Sequence, residues 1–407
     1  WMNRCSIMFS MEGQQLGPVE KLTLFAEHMA LEPDEEGGAP PAGPLPCGAP
    51  PAPRRGKDDH LPITNVTMSN GRKMPVLKTL LTSACERNCY YCPFRAGRNF
   101  QRATFRPEEL ANTFVDMHRA GLVEGMFLSS GIIKGGVSTQ DRLLDAADIL
   151  RNRLGYRGYL HLKLMPGAER DQVERAMQLA SRVSTNLEAP TSERLARLAP
   201  TKQLVEELLQ PLRWAEEIRR TQLPHKSWNG RWPSTVTQFV VGAAGESDLE
   251  LLTATSYLYN RLHLRRAYFS GFHPIADTPL DGLPPTDPWR EHRLYQASFL
   301  LRDYGFDLEE LPFTGDGNLP LHHDPKLAWA QQTLISRPVE LNRADREQLL
   351  RVPGIGPISA DAILRARRQR TLRDLSDLRR LGVATKNLAP FVLLNGRRPL
   401  QQLPLFA

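Results

Sequence analysis

Three closely spaced cysteines are the residues of this sequence best suited to chemistry. Cys85, Cys89 and Cys92 stand in the order C-x3-C-x2-C, shortly after an apolar run that begins at Val76. Most four-iron clusters take four cysteines, so a loop with three thiolates leaves one iron open to another ligand. An open coordination position also separates catalytic metal sites from closed structural ones. The loop therefore predicts a [4Fe–4S] cluster with one iron open for a substrate or cofactor.

Other metal sites fit the sequence less well. Zinc needs four ligands, and the nearest further donors in the sequence are His60 and His118. Helix-hairpin-helix DNA glycosylases carry a four-iron cluster on four cysteines after the hairpin, but no cysteine follows Cys92 here. His322, with the adjacent His323 and Asp324, lacks a further ligand set in its connector, which favours a structural role.

A repeating strand–helix pattern surrounds the cysteine loop. Six such units in series predict a parallel sheet with right-handed crossovers, and six rather than eight indicates a partial barrel. In barrels of this kind the chemistry collects at the carboxyl ends of the strands. The predicted strands are Val76–Ser83, Gly125–Ser130, Gly158–Leu164, Arg182–Glu188, Ser234–Val241 and Leu264–Ser270.

Composition divides the chain into four segments. Residues 1–57 form an extension with a short helical pattern over Val19–Met29 and then a stretch rich in Pro, Gly and Ala, which predicts disorder. Residues 58–304 carry the partial barrel, and 305–336 form a connector. Residues 337–400 form a small all-α module. The fold class is thus α/β, a partial (β/α)6 TIM-like barrel followed by a helical domain.

The helical module carries the excess positive charge. It contains fourteen Lys and Arg against six Asp and Glu, so the rest of the chain is close to neutral although the total is +7. Its glycine hairpin, followed by a second helix, resembles a helix-hairpin-helix unit, with a weaker echo over Leu372–Leu394. Glycines let backbone N–H groups approach phosphate oxygens. The expected nucleic-acid contacts are Arg351, Gly354, Ile355, Gly356, Arg365, Arg367 and Arg368.

The number of cysteines and the hydropathy of the sequence indicate the cellular compartment of the protein. The chain has only five cysteines, three of them in the loop, which does not indicate a disulfide framework and favours a reducing cytoplasm. No run of 18 apolar residues occurs, so no membrane partner is expected. The apolar patch Ile7–Phe9 is too short for a signal peptide.

The cysteine spacing resembles the radical S-adenosylmethionine (SAM) superfamily. The resemblance implies that SAM binds the open iron and that an electron from the cluster cleaves it to a 5′-deoxyadenosyl radical. It also implies a partner that donates the electron. The aromatic residue before the third cysteine, Tyr91, would pack on the adenine. The other implied SAM contacts lie at strand ends: Ser129, Ser130, Gly131, Lys163, Asn186, Glu188 and Gly242.

Further sequence segments indicate a particular group within this superfamily. FLSSGIIKGG, STNLEAP, DPKLAWA and the terminal LNRADREQLLRVPGIGPISADAILRARR are similar to a group of DNA modification or repair radical SAM proteins. The resemblance covers residues 75–395 and implies nucleic acid, DNA first, as substrate and a uracil-DNA-glycosylase-like protein as partner. Two alternatives stay open. One is a radical SAM enzyme that acts on a peptide or small molecule, with the hairpin binding a protein. The other is a DNA-binding protein with a structural or redox-sensing cluster.

Two features near the loop stay ambiguous in the sequence. Five arginines follow the first cysteine and could balance the cluster, grip the SAM carboxylate, meet nucleic acid or remain solvated. His273 and Asp277 follow the last strand and could donate protons or contact substrate, although turn formation explains the surrounding residues equally well. The arginines are Arg87, Arg95, Arg98, Arg102 and Arg106.

Overall fold

The computed structural model describes residues 16–31, 61–67, 71–385 and 387–399. Most of the Pro-, Gly- and Ala-rich stretch after residue 31 lies outside these ranges, as do Cys5 and Cys47. Within them, a strand–helix barrel precedes a small helical module, which confirms the predicted fold class. No helix of the described ranges is long and apolar enough to span a membrane.

One seven-stranded sheet, with its strands in chain order, forms the barrel. Six strands run parallel, as predicted, and a seventh at the edge pairs antiparallel with its neighbour. That edge strand is short and largely half-exposed, so its signal in the sequence is weak. The strands are β1 (Ile63–Thr67), β2 (Lys73–Leu80), β3 (Gly125–Ser129), β4 (Tyr159–Lys163), β5 (Arg182–Ser184), β6 (Ser234–Val241) and β7 (Arg266–Gly271).

Helices follow the parallel strands and cover the outer face of the sheet. Their apolar faces are buried in two large core clusters that together run the length of the barrel. The helices are α2 (Pro107–Arg119), α3 (Gly135–Asp148), α4 (Arg170–Leu179), α5 (Ser192–Leu198), α6 (Gln210–Thr221), α7 (Asp248–Leu262) and α8 (Pro288–Asp303), with π-helical turns at Ile149–Arg153 and Leu204–Leu209. The π-helical turn Leu204–Leu209 runs directly into α6, and Pro211 lies where the helical geometry changes from π to α.

The N-terminal helix α1 (Pro18–Met29) belongs to the barrel core. Leu22 and Phe25 are fully buried, and the ring of Phe25 meets that of Phe105 edge to face at 5.8 Å. Lys21 Nζ donates to Glu109 Oε1 on α2 over 2.7 Å. The predicted helix over this segment is confirmed, and it packs with the barrel rather than apart from it.

The C-terminal module has its own core of buried apolar residues. Its helices are α9 (Pro325–Thr333), α10 (Arg346–Arg351), α11 (Pro357–Gln369) and α12 (Leu375–Arg380). The helix expected at the end of the echo is wrong, because this segment forms a short turn and then β9 (Val392–Leu393), which pairs parallel with β8 (Val339–Glu340). Pro390 cannot donate a helical hydrogen bond, and the β-branched Val392 suits a strand.

Candidate active site

The first cysteine is held against the end of β3. The loop leaves β2 at Leu80, and Glu86 N donates to Ile132 O over 2.8 Å. In return, Ile132 N lies 3.4 Å from the Sγ atom of Cys85. An amide directed at a thiolate stabilises its negative charge, so this contact suits a metal-bound sulfur.

Gly131 makes that close approach possible. A Cβ atom there would lie well inside 3.0 Å of the carbonyl oxygen of Ala84, closer than real Cβ atoms come. It would also crowd the Cβ atom of Cys85 at 3.2 Å. A glycine is therefore required by the loop itself, in addition to any contact with a cofactor.

The other two cysteines are fixed by backbone contacts. Tyr90 N donates to Leu198 O over 2.7 Å and anchors the loop beside Cys89, which is buried. Phe94 N lies 3.4 Å from Cys92 Sγ. Burial raises the pKa of the Cys89 thiol, and the nearby ammonium group of Lys202 opposes that shift.

Arg102 organises the loop from inside. Its guanidinium donates four hydrogen bonds to backbone carbonyls, including those of Ser83 at 2.7 Å and Arg95 at 2.7 Å. The charge also stacks on Phe100, 4.2 Å from the ring centroid. Burial lowers its pKa, while the thiols of Cys85 and Cys92 act in the opposite direction. The arginine thus sets the shape of the loop and places a cation beside its sulfurs.

Three of the remaining loop arginines donate hydrogen bonds within the chain, and the fourth, Arg106, is exposed. Arg87 donates to Glu207 Oε1 over 2.6 Å. Arg98 donates to Ala276 O over 3.2 Å and to Pro93 O over 3.2 Å. Arg95 reaches Asp277 O at 3.5 Å, and Arg106 precedes α2 as its N-cap. Among the alternatives left open by the sequence, these contacts favour a scaffold for the loop.

The carboxyl ends of β2–β7 surround one cavity, which we name the mouth cavity. It contains the three cysteines and nearly all of the strand-end residues expected to contact SAM. Those that line it are Tyr91, Ser129, Ser130, Gly131, Lys163, Asn186 and Glu188. Residues from six different strands or their ends therefore meet where the parallel topology predicts.

Gly242 does not line the mouth cavity. Its amide donates to Glu246 Oε1 over 2.5 Å, and a side chain there would collide with Thr286 Oγ1. With φ at +97°, the residue turns the chain between β6 and α7. Gln238 and Val240 are the β6 residues that line the cavity.

A buried ion pair lies beside the second cysteine. Lys202 Nζ donates to Glu188 Oε1 over 2.9 Å, with side-chain exposures of 10% and 5%. Glu188 has φ at +65°, a left-handed conformation that is rare for a residue with a side chain. Burial would lower the pKa of Lys202, but the Cys89 thiol and the Glu188 carboxylate raise it overall. Burial and the same carboxylate raise the pKa of Tyr91.

The sequence did not indicate Lys202. It lies in no strand and in no recognised motif, and it reaches the site through the turn after α5. Its position depends on tertiary packing, which spacing along the chain does not reveal.

A polar chain crosses the interior of the barrel below the mouth. Lys163 Nζ donates to Asn186 Oδ1 over 2.5 Å, and Asn186 Nδ2 donates to Gln238 Oε1 over 3.0 Å. His161 lies deeper, its ring 4.3 Å from that of Phe127. Burial and the charges of Arg182, Lys163 and Lys78 hold its pKa well below the usual range. The imidazole is therefore neutral at pH 7.

No group of three or more His, Cys, Asp or Glu side chains in the described ranges converges tightly enough for a single metal ion. A cubane cluster binds each thiolate at a different iron, so its ligands stand further apart than those of one ion. Three thiols on one loop, two of them contacted by backbone N–H groups, fit such a cluster.

The other polar groups near the mouth take part in turns and caps. His273 lines the mouth cavity, and its Nδ1 lies 2.9 Å from Gly271 O. Asp277 turns the chain with φ at +63°. Asp324 accepts from Leu327 N over 3.0 Å and caps α9, consistent with a structural role for the connector histidines and aspartate.

The hairpin arginines divide into two kinds. Arg351 donates to Glu310 Oε1 over 2.5 Å and to Gly305 O over 2.7 Å, and Arg367 donates to Leu341 O over 3.0 Å. Arg365 and Arg368 are exposed. Of these four arginines, Arg365 and Arg368 on α11 are the two whose guanidinium groups are exposed to solvent.

The hairpin backbone is tightly packed. Ile355 is buried. Gly354 has φ at +84° and no room for a Cβ atom beside Ala384 O. Gly356 lies near the hydroxyl of Tyr304, directly after α8. The hairpin lies beside the C-terminal half of α8, because Gln296, Leu300 and Tyr304 line one pocket together with residues 353–356.

Comparison with known protein families decides the class of the barrel. Residues 79–250 match the family model described as the radical SAM superfamily. The chain contains a radical SAM domain. Residues 337–366 match the helix-hairpin-helix motif, which is also present. Radical SAM proteins use a [4Fe–4S] cluster and SAM, and these are the cofactors predicted from the cysteine loop.

Solved structures similar to this chain are distant in sequence. Methylornithine synthase (PylB) is 15% identical with a TM-score of 0.44, over 56% of this chain and 61% of that one. HydG, a maturase of the [FeFe]-hydrogenase, is 12% identical with a TM-score of 0.44, over 56% and 49%. Coproporphyrinogen III oxidase (HemN) from Escherichia coli is 14% identical with a TM-score of 0.36, over 56% and 52%. The match thus spans about half to three fifths of these proteins, and no curated protein matches the sequence.

Proposed function

We propose that this protein is a radical SAM enzyme that modifies or repairs nucleic acid, with DNA as the first candidate. The observation that carries the proposal is the union of two features in one chain. Three thiols and the strand-end polar residues line one cavity, and a basic helix-hairpin-helix module is packed against α8 and the segment that follows it.

Cys85, Cys89 and Cys92 are the proposed ligands of the cluster. When bound, the cluster supplies the electron that cleaves SAM to methionine and a 5′-deoxyadenosyl radical, which abstracts a hydrogen atom from the substrate. The protein's share is to position the reactants and exclude water. Arg102 and the amides of Phe94 and Ile132 stabilise the negative charge on the sulfurs.

The strand-end residues are the proposed SAM contacts. Ser129, Ser130 and Gly131 lie next to Cys85, where they can meet the amino group of SAM. Asn186 and Glu188 line the same cavity and are the proposed ribose contacts, and Tyr91 is the proposed stacking partner of the adenine. Lys202 fixes the Glu188 carboxylate in place.

The hairpin module is the proposed anchor for nucleic acid. The first turn of α11 presents backbone amides, and Arg365 and Arg368 add exposed charge close by. Such contacts fix position on a strand and do not read its sequence. The proposal includes an electron donor, a uracil-DNA-glycosylase-like partner and a cytoplasmic location.

The decisive experiment is an anaerobic assay for 5′-deoxyadenosine. The cluster-loaded protein is reduced in the presence of SAM and of single-stranded, duplex and damaged DNA, with RNA in parallel. We expect product formation that nucleic acid stimulates, and deuterium transfer then identifies the abstracted hydrogen. The Cys92→Ala variant is the matched control and should form none. An intact cluster that forms no product with any substrate would contradict catalysis.

A second candidate is a radical SAM enzyme for a peptide or small molecule. The contacts of Arg351 favour it, because they engage a hairpin arginine within the chain. Under this alternative, affinity for DNA would be absent or would depend weakly on salt. Phosphate contacts instead predict a log–log slope near −0.9 for each contact on duplex DNA. A cluster spectrum unchanged by SAM would point instead to a DNA-binding protein with a structural or redox-sensing cluster.

A further inference from the structure

A second cavity lies beside the glycine hairpin, and we name it the hairpin cavity. Residues 353–356 form one wall, and Tyr304 directly after α8, Asp324 and Lys326 contribute to the others. Among the described residues, none lines both this cavity and the mouth cavity. Its volume of about 530 Å³ lies within the range of small-ligand sites. The hairpin cavity can therefore hold a group the size of one nucleotide sugar.

Lys326 lines the hairpin cavity with a buried amine. The residue is 9% exposed. Its Nζ atom donates to Ile355 O over 2.6 Å and lies 4.6 Å from the centroid of the Tyr304 ring. Contacts on two sides thus hold the nitrogen in one place, next to the hairpin backbone.

The protonation state of this amine suits a nucleophile. Burial lowers the pKa of Lys326 to about 7, Arg351 on α10 acts in the same direction, and Asp324 opposes them. At neutral pH a large part of the amine is therefore uncharged. An uncharged amine keeps a lone pair while one of its N–H groups still donates to Ile355 O. Lysines that are desolvated in a pocket, or placed next to another cation, form Schiff bases with carbonyl groups for this reason.

Asp324 places a carboxyl group on the same cavity. It stands two residues before Lys326, and its charge acts on that amine. The Oδ1 atom accepts from Leu327 N over 3.0 Å, which fixes the side chain. A carboxyl group beside a reacting amine can transfer the protons that Schiff-base formation requires. The cavity thus combines a nucleophile with a proton-transfer group.

The surroundings of the cavity indicate which carbonyl compound enters it. Gly354 and Gly356 border it, and they belong to the hairpin to which the proposed function assigns phosphate contacts. Ile358, in the first turn of α11, is 86% exposed, and apolar side chains of DNA-binding proteins insert where base stacking is interrupted. A DNA sugar that has lost its base offers a flanking phosphate and an interrupted stack. Its ring-opened form carries an aldehyde at C1′.

We propose that Lys326 forms a Schiff base with the C1′ aldehyde of an abasic site in DNA. The inference rests on the proposed function, which brings DNA to the hairpin. Nζ attacks C1′ and the aldehyde oxygen takes up a proton, which gives a carbinolamine; loss of water then leaves a C=N bond. One amine and one aldehyde yield one imine and one water, and Asp324 transfers the protons. The step consumes no oxidant or reductant, so it is separate from the chemistry of the cluster.

Reductive trapping tests the proposal. The cluster-loaded protein is mixed anaerobically with a duplex oligonucleotide that carries a single abasic site, and sodium cyanoborohydride reduces the imine to a stable amine. We expect a covalent complex on a denaturing gel, and peptide mass spectrometry should place the adduct on Lys326. The same duplex with an intact base should give no complex.

Variants separate the reaction from binding. Lys326→Arg keeps a positive charge and a donor for Ile355 O but cannot form the imine. Trapping should therefore be lost, while the affinity for the duplex, measured by fluorescence anisotropy, is retained. Lys73→Arg, at the exposed start of β2, is the matched control and should be trapped as the wild type is. The retained affinity distinguishes loss of the nucleophile from a folding defect, and the adduct site in the wild type depends on no variant.

Three results would overturn the proposal: a complex no more abundant than with the intact duplex, an adduct on a residue other than Lys326, or undiminished trapping of Lys326→Arg. Equal trapping of free 2-deoxyribose 5-phosphate would overturn the assignment to DNA. Trapping at Lys326, without stimulation of 5′-deoxyadenosine formation by DNA or RNA, would retain this reaction and reject nucleic acid as the substrate of the radical. Stimulation without trapping would do the reverse.

Discussion

The ammonium group of Lys326 donates a hydrogen bond of 2.6 Å to the carbonyl oxygen of Ile355 in the glycine hairpin. Lys326 begins α9, and Arg351 makes a parallel connection from the hairpin side to Glu310. The contact of Arg351 with Glu310, shortly after α8, attaches the hairpin to the flank of the barrel, whereas the hydrogen bond of Lys326 holds the hairpin within its own module. A nucleic acid that touches both hairpin and mouth must extend along α8, whose 16 residues have a full length of roughly 24 Å.

The burial of the Lys326 ammonium group predicts that the free energy of unfolding depends on pH. Burial lowers the pKa of Lys326 to about 7, Arg351 acts in the same direction, and Asp324 opposes them. The unfolded chain, with an ordinary lysine pKa near 10.4, binds more protons between these values, so stability should rise with pH from about 7 to 10. Lys326→Met should lose that rise. Chemical denaturation at several pH values measures it, and parallel curves for the two proteins would contradict the prediction.

Each loop cysteine should be needed for the cluster. Cys85→Ala, Cys89→Ala and Cys92→Ala each leave two thiolates, so iron should fall from about four atoms per chain to near zero after reconstitution. Iron analysis and the visible spectrum measure this. Cys47→Ala, which leaves the loop intact, should retain the cluster; equal loss in this control would mean that a thiol outside the loop takes part.

Gly131 should tolerate no side chain. In Gly131→Ala the added Cβ atom meets Ala84 O, so the loop must move away from β3. Overpacking of this kind typically destabilises by about 1–3 kcal/mol, and we expect weaker SAM binding as well. Thermal unfolding and SAM titration are the measurements. Gly282→Ala, where the added atom meets open space, should behave as the wild type.

The Lys202–Glu188 pair should show strong coupling. Removing one partner leaves an uncompensated buried charge, which typically costs about 3–5 kcal/mol, so Lys202→Met and Glu188→Gln should each lower the free energy of unfolding. The double variant should be less destabilised than the sum of the two. Urea denaturation of the wild type, the two single variants and the double variant gives the coupling energy of a double-mutant cycle. Additive effects would mean that the contact of 2.9 Å carries no coupling.

The hairpin arginines should separate by function. Arg365→Ala and Arg368→Ala should weaken DNA binding, and each phosphate interaction that they remove should reduce the salt slope by about 0.9. Arg367→Ala should instead destabilise the module, because it removes a donor to Leu341 O. Fluorescence anisotropy at several salt concentrations, with thermal unfolding alongside, distinguishes the two. A uniform effect of all three on affinity would contradict this division.

Local signals explain what was predictable. The spacing of Cys85, Cys89 and Cys92 and the apolar runs before each strand end are contiguous in sequence, so the loop, the six parallel strands and most of the cavity lining could be predicted from them. Parallel topology then brings the strand ends together without further information. Ser234–Val241 was predicted to the residue because five of its eight residues are β-branched, which favours a strand.

Contacts between distant segments explain the rest. Lys202 acquires its role from Glu188 and the cysteine loop, and the charge of Arg351 is engaged by Glu310, 41 positions away. The edge strand β1 is recognisable only from its pairing with β2. A pattern along the chain shows that a charged residue is present, but it does not show which partner folding provides.

The helix α1 joins parts of the chain that lie far apart in sequence. Its contact with Glu109 closes a loop of 88 residues, and Phe25 sits against Phe105 in the core. If a peptide bond between residues 31 and 61 were broken, α1 would no longer be joined covalently to the barrel. Only noncovalent contacts, including the pair with Glu109, would then hold it in place. Recombinant protein that begins at residue 58 would lack it, would expose the apolar surface around Phe105, and should be prone to aggregate.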